Sequence, residues 1–307
     1  MIFSTICYSI VTTMLLLAIP QKISASITNY AIGTNQTLRE AYNYNHAASV
    51  MRGGEGVNCL EDPELDQWTT DYRNMCGHWQ CLTRGTANHS ILILGNSVAH
   101  FAFPTIHSVL NGRYSILRHF TAPSKEILTN SFPPYLEATS RVIREMKPDA
   151  VIIPEYHILA TKTGSSHTIT ELVDIGQARI NEIANLTKVI MIDYTYQIPP
   201  VAENNKGILR GIARGFASFP NGFTTVEAAS IRVEVANAII SLLEHEKLVK
   251  NDVRLPFCQR EQGVCDGYDP STLRSYVARG IHIGPHGYQK LRPYYENAID
   301  EVLRRLG

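Results

Sequence analysis

Residues 91–100, ILILGNSVAH, pass from four apolar residues through Gly95-Asn96-Ser97 into a run that reads as a helix. A serine at the tip of a strand and the start of a helix can serve as an acyl-transfer nucleophile. The first-turn N–H groups and the positive end of the helix dipole favour an anion forming there, and Gly95 leaves the turn room. The competing reading is a helix cap, since Asn and Ser are both preferred caps, and the tripeptide alone favours that reading. The segment 279–288, RGIHIGPHGY, alters the balance by presenting His282 from a loop just before the last helical stretch. A base offered from a separate loop is a normal partner for a serine nucleophile. A metal pair of His282 with His286 is disfavoured, because Gly284 and Pro285 break the helical spacing it needs.

The elements that must position these residues follow from hydrophobic period. From residue 89 onward, short apolar runs alternate with longer amphipathic ones, which predicts strand–helix–strand units and a parallel sheet. Strands are expected at 90–95, 114–120, 149–154 and 189–193, the third buried on both faces. Helices are expected at 98–111, interrupted or bent at Pro104, and at 137–147, 169–188, 224–250 and 284–306, with a kink at Pro293. The expected fold is a three-layer α/β/α sandwich with a mostly parallel sheet, and ligands of such sheets sit at the carboxyl ends of the strands, where Ser97 falls. Residues 26–87 show no sustained period and read as an irregular, cysteine-containing extension, with 88–307 as the α/β domain. No internal repeat or low-complexity linker interrupts the chain.

The chain has 307 residues, 44% of them hydrophobic, and 28 basic residues balance 28 acidic ones. No basic run of the kind that tracks a phosphate backbone is present, so nucleic acid is not an expected partner. Residues 1–25 read as a secretory signal, with an apolar stretch through Ile19 and small residues at Ser24-Ala25 before the expected cleavage point. No Lys or Arg precedes the apolar stretch, and a retained anchor is the alternative; Pro20 and Lys22 cut the run short for that role. No later segment is expected to span a membrane. Sequons at Asn35, Asn88 and Asn185 fit a secreted or lumenal glycoprotein. In an oxidising compartment Cys258 is expected to pair with Cys265, and two of Cys59, Cys76 and Cys81 with each other. A zinc site using Cys76, His78 and Cys81 lacks a fourth ligand at conventional spacing. No metal or other cofactor is expected.

LILGNS (92–97), KPDAVII (147–153), the Cys258 and Cys265 pair followed by YDP (268–270), and GIHIGPHGY (280–288) together resemble the SGNH (GDSL-type) hydrolases. The closer likeness is to the extracellular SGNH domain of animal acyltransferase-3-like proteins. The resemblance covers about residues 88–307 and implies an SGNH hydrolase-like, flavodoxin-like fold. It implies Ser97 as nucleophile, His282 as base, and removal or transfer of a small, acetyl-like acyl group on a carbohydrate, a lipid or a similar alcohol.

Two departures from the family pattern stand out. Arg279 occupies the position of the family's acid, three residues before the histidine. Losing that acid in a serine protease triad costs about ten-thousand-fold in turnover; Asp266 or Asp269 from the preceding loop, or a backbone carbonyl, would have to orient His282 instead. The Gly and Asn that the pattern supplies for the oxyanion after the second and third strands are replaced by HFTAPSKE (119–126) and PEYHILA (154–160). With Gly95 and Asn96 at the nucleophile turn, Tyr156 or His157 is a substitute donor, each equally readable as a satisfied loop residue. Arg210 and Arg232 can meet an anionic substrate, although arginines on helices usually face solvent. A catalytically silent SGNH-like module that recognises an acylated or glycosylated ligand is the alternative to an enzyme.

Overall fold

The computed structural model describes residues 35–51, 53–73, 77–128, 132–157, 167–197, 204–215, 223–231, 233–279 and 281–307. The signal segment at 1–25, Cys76 and Arg232 lie outside the described residues, as does the side chain of Arg279. The chain opens with α1 (Gln36–Val50) and two short helices, α2 (Pro63–Trp68) and α3 (Thr70–Arg73), then β1 (Trp79–Arg84) and β2 (Ser90–Gly95). There follow α4 (Ser97–Leu110), β3 (Ile116–Thr121), α5 (Pro133–Met146), β4 (Ala150–Ile153), α6 (Ile169–Ala184) and β5 (Val189–Asp193). Next come α7 (Asn204–Ala213), β6 (Phe223–Thr225), α8 (Val226–Ile231), α9 (Glu234–Leu242) and β7 (Leu248–Asn251). The chain closes with β8 (Cys258–Gln259), β9 (Val264–Asp266), β10 (Val277–Arg279), β11 (His282–Ile283) and α10 (Pro285–Leu306).

The six-stranded sheet runs in the order β1-β3-β2-β4-β5-β7. Its strands are parallel except β1, which pairs antiparallel with β3 at the edge. The five parallel strands have the doubly wound, flavodoxin-like order, in which the second strand in sequence lies beside the first on one side and the third on the other. Alternation along each strand divides the core in two. Ile91, Ile93, Ile152 and Met191 pack against α4 and α10, whereas Leu92, Leu94, Val151 and Ile192 pack against α5, α6 and α9. Because both faces are covered, the central strands are apolar throughout. The expected three-layer α/β/α architecture with its mostly parallel sheet is the one the chain adopts. Among the described residues, no helix is long and apolar enough to cross a membrane.

Two segments differ from expectation. Residues 224–250 are not one helix: α8 and α9 are followed by β7, which pairs with the open edge of β5 from Ile190↔Leu248 to Asp193↔Asn251. The turn Glu244–Lys247 breaks the helix, and ladder bonds then favour the strand over local helix propensity. Residues 35–84, expected to be irregular, hold α1 and the edge strand β1. Helix α1 hides from a hydrophobicity scan because its buried stripe is Leu38, Ala41, Asn45 and Ala48. Asn45 is paired there by donating to Leu273 O at 2.8 Å and accepting from Ser275 N–H at 2.8 Å. Pro104 lies inside α4 and Pro293 inside α10, so neither proline ends its helix.

Disulfides join Cys59 to Cys81 on β1, and Cys258 to Cys265 across the β8–β9 ladder. Cys81 is therefore not available to a zinc site with His78. Among the described residues, no group of three or more His, Cys, Asp or Glu is arranged to hold a metal ion.

Candidate active site

The carboxyl end of β2 meets the start of α4 in three residues with separate tasks. Gly95 has φ +138°, and an added Cβ would lie 2.9 Å from Ala99 Cβ and 3.3 Å from Glu155 Cβ. Both its conformation and the close approach of α4 and of Glu155, in the loop after β4, therefore require glycine. Asn96 is fully buried and caps α4: its Oδ1 accepts from Val98 N–H at 3.0 Å, while its Nδ2 donates to Tyr156 O at 2.7 Å. The second bond ties β2 to the loop after β4, at the point where the strand order reverses. An aspartate could make the cap but not the donation, and its second oxygen would face a carbonyl in a dry site. Asn96→Asp is expected to cost ~2–3 kcal/mol, the penalty for a buried polar group without a partner. A lowered urea midpoint would register it, and an unchanged midpoint would refute this account of Asn96.

Ser97 is the first residue of α4, where N–H groups have no carbonyl within the helix to bond. His282, on β11, brings Nε2 to 2.8 Å from Ser97 Oγ. Its ring lies on Phe101, one turn further along α4, with centroids 4.4 Å apart and an interplanar angle of 21°. The backbone just before it is held by Tyr196, whose hydroxyl donates to Ile281 O at 2.5 Å.

Two further histidines stand behind the pair. His100 is stacked between Trp79, at 4.2 Å, and His119, at 5.3 Å. Burial pushes the His100 pKa down to about 4; its hydrogen bond with the Gly53 backbone opposes this, and the nearby His282 charge adds to it. Burial likewise drives His119 well below the ordinary range. Both are therefore neutral at physiological pH and add no positive charge beside His282.

The other candidates are distributed as follows. Asp269 accepts from Ser271 N–H at 2.8 Å and lies 3.0 Å from His286 Nε2, contacts that hold its carboxyl well below the usual range. Asp266 accepts from Gln259 Nε2 at 2.6 Å. Neither contact involves His282. Arg279 pairs with His282 across the β10–β11 ribbon in backbone register. The Tyr156 carbonyl serves Asn96, and its ring packs edge-on to Tyr196. His157 is buried, with Nδ1 3.5 Å from Glu155 Oε1, and burial lowers its pKa to about 4, the Asp193 backbone opposing. Arg210 lies on α7, in its last turn.

Two residues of this region escape sequence reasoning. Glu155 is buried beside Gly95, and its carboxylate accepts the Ile127 and Leu128 N–H groups at 3.1 and 3.3 Å; burial and the neighbouring Glu126 raise its pKa. A carboxylate directly after an all-apolar strand is the signal that could have found it. Ser124, in the loop after β3, has φ +56°, a conformation that usually goes to glycine.

Chemically, the Ser97–His282 pair can pass a proton from Oγ to Nε2 and aim Oγ at a carbonyl over the helix start. No protein-family model matches the chain, and no curated protein matches it in sequence. Solved structures do resemble it. The periplasmic domain of the lipopolysaccharide acetyltransferase of Salmonella ser. Paratyphi A is 14% identical with a TM-score of 0.49, over 88% of this chain and 98% of that one. A putative acylhydrolase from Bacteroides fragilis is 11% identical with a TM-score of 0.42, over 80% and 100%. A GDSL-like lipase from Bacteroides thetaiotaomicron is 9% identical with a TM-score of 0.42, over 79% and 98%.

Proposed function

We propose that this chain is an SGNH-type serine esterase or O-acyltransferase that acts on small, acetyl-like acyl esters in the secretory pathway or outside the cell. The observation that carries the reading is the 2.8 Å approach of His282 Nε2 to Ser97 Oγ at the start of α4. In the proposed reaction His282 takes the Ser97 proton and Oγ bonds to the ester carbonyl carbon. The oxyanion is held by N–H groups of the first turn. The carbon–alcohol bond then breaks, and His282 returns the proton to the leaving oxygen. Water, or a second alcohol in the transferase case, attacks the acyl-enzyme and restores Ser97. The two disulfides fit an oxidising compartment, and Asn35, Asn88 and Asn185 are all exposed, as glycan attachment requires.

The test is labelling of the folded protein with a fluorophosphonate, with the adduct located by peptide mass spectrometry. Label on Ser97 that disappears in His282→Ala is the expected result. A second reading, a silent SGNH-like binding module, draws on Arg279 at the family's acid position and on the engagement of Asp269 with His286. An unlabelled folded protein would favour that module and overturn the enzyme.

A further inference from the structure

Two adjacent residues after β4, Glu155 and Tyr156, secure the nucleophile turn. Tyr156 does so through its carbonyl, which accepts from Asn96 Nδ2 at 2.7 Å. Glu155 does so through its side chain, which reaches past the turn to the loop after β3. Strands β3 and β4 lie on opposite sides of β2 and are not paired with each other. Yet the Glu155 carboxylate accepts from Ile127 N–H with both oxygens, at 3.1 Å each, and Oε1 also accepts from Leu128 N–H at 3.3 Å. Gly95 lies along that path: a Cβ at this position would come within 3.3 Å of Glu155 Cβ and 3.6 Å of Oε2. The loop that Glu155 reaches is bonded in turn to Gly95, whose carbonyl accepts from Ala122 N–H at 3.1 Å.

We infer that Glu155 is a positioning residue for Ser97, a strut of fixed length that holds the loop after β3, residues 122–128, against the nucleophile turn. The inference rests on the esterase reading and adds to it a residue outside the Ser97–His282 pair. Three observations carry it. The first is reach. The carboxylate takes two successive N–H groups from across β2, and a side chain one carbon shorter would fall about 1.5 Å short of them. The second is strain in the loop so held. Ser124 has φ +56°, and a non-glycine residue keeps such a conformation only where its surroundings over-determine it. The bond from Lys125 N–H to Ala122 O at 3.3 Å and the Glu155 bonds at Ile127 and Leu128 do so here. The third is cost. Glu155 is buried, and burial and the neighbouring Glu126 raise its pKa, so the site disfavours the charged form. What the side chain contributes is therefore its length and its acceptor oxygens. Gly95, Asn96 and Ser97 are consecutive, so a shift of the loop at Gly95 reaches Oγ two residues later, and a misplacement of about 1 Å at a reacting group costs about a hundredfold in rate.

The test separates reach from charge. Glu155→Gln keeps the length and one acceptor oxygen without the acid, and Glu155→Asp keeps the acid and loses the length. With p-nitrophenyl acetate as the ester, Glu155→Asp is expected to lower kcat about a hundredfold with KM little changed, and Glu155→Gln to stay close to wild type in both. The rate at which a fluorophosphonate labels Ser97 should follow kcat. Ile183→Val, in the core at the end of α6 and so at the amino ends of the strands, is the control for stability: it is expected to lower the urea midpoint and leave kcat unchanged. Amide exchange at Ile127 and Leu128, read by NMR, should be about tenfold faster or more in Glu155→Asp and close to wild type in Glu155→Gln. A loss in Glu155→Gln as large as that in Glu155→Asp would assign the residue to acid chemistry, and a loss carried by KM would make it a substrate contact; either overturns the strut and leaves the esterase in place. Wild-type kcat in Glu155→Asp would overturn it as well. Should Glu155→Asp not fold, Glu155→Gln still decides: a large loss of kcat there overturns the inference, and wild-type kcat with wild-type exchange upholds it. A wild-type protein that neither cleaves the ester nor takes the label would sink the esterase. Faster exchange in Glu155→Asp would still uphold the strut in that protein, whereas unchanged exchange would overturn it whatever the turnover.

Discussion

Ser97→Ala is expected to lower kcat/KM for a small acetyl ester by a factor of about 10³–10⁴, His282→Ala to lower it by a similar factor, and the double variant to be no slower than either single one. A nucleophile and its base act as a unit, so removing one leaves the other with nothing to do. The 2.8 Å contact is what makes them a unit here. Steady-state kinetics on the four proteins decide the matter. Additive losses in the double variant would show that Ser97 and His282 act independently, which a general-base mechanism does not allow.

Much of the fold is legible in the chain because parallel strands buried on both faces leave continuous apolar runs. SILILG, AVII and VIMID are found as strands for that reason. The start of α6 is legible too, through the reciprocal capping of Thr168 and Glu171. What escapes is decided by partners distant in sequence. Leu248–Asn251 becomes a strand because β5 offers it an edge, and the stripe of α1 is hidden because one of its buried members is an asparagine bonded to residues 228 and 230 positions away. The site divides along the same line. Ser97 and His282 stand out by residue type, position after a strand and order in the chain. The second hydrogen bond of Asn96, the choice of His286 by Asp269 and the left-handed Ser124 follow from tertiary geometry that no local pattern encodes.

A large pH effect on stability is expected from Asp193, and Asp193→Asn isolates it. This residue ends β5 and is buried, with Oδ2 accepting from Tyr295 OH at 2.6 Å and Oδ1 from Asn251 Nδ2 at 2.9 Å. Burial pushes its pKa up to about 7 from an ordinary 3.8, and these two hydrogen bonds only partly oppose the rise. Between those values the folded protein holds a proton that the unfolded chain has released, so stability falls as pH rises through the window and levels off above it. Three pKa units at about 1.4 kcal/mol each correspond to ~4 kcal/mol over the full range, of which ~3 kcal/mol falls between pH 5 and pH 8. Asparagine has no proton to lose and can still accept from Asn251, so the stability difference between wild type and variant should move by that amount. The difference, measured by urea unfolding at both pH values, is the useful quantity. Asp269, Asp149 and Glu182 are held below their ordinary range and titrate with the opposite sign, and their contributions cancel in it. Tyr196, Tyr288 and Tyr295 surround the carboxyl, and burial keeps all three neutral across the range. The consequence reaches the site, because Asp193 leads three residues later to Tyr196, whose hydroxyl holds the carbonyl before His282. An ionised Asp193 therefore weakens the segment that supports the base, and activity in the wild type should fall above pH 7 while Asp193→Asn retains it. A stability difference that stays flat from pH 5 to pH 8 would show that Asp193 is already ionised in the folded protein at pH 5, and both expectations would fail together.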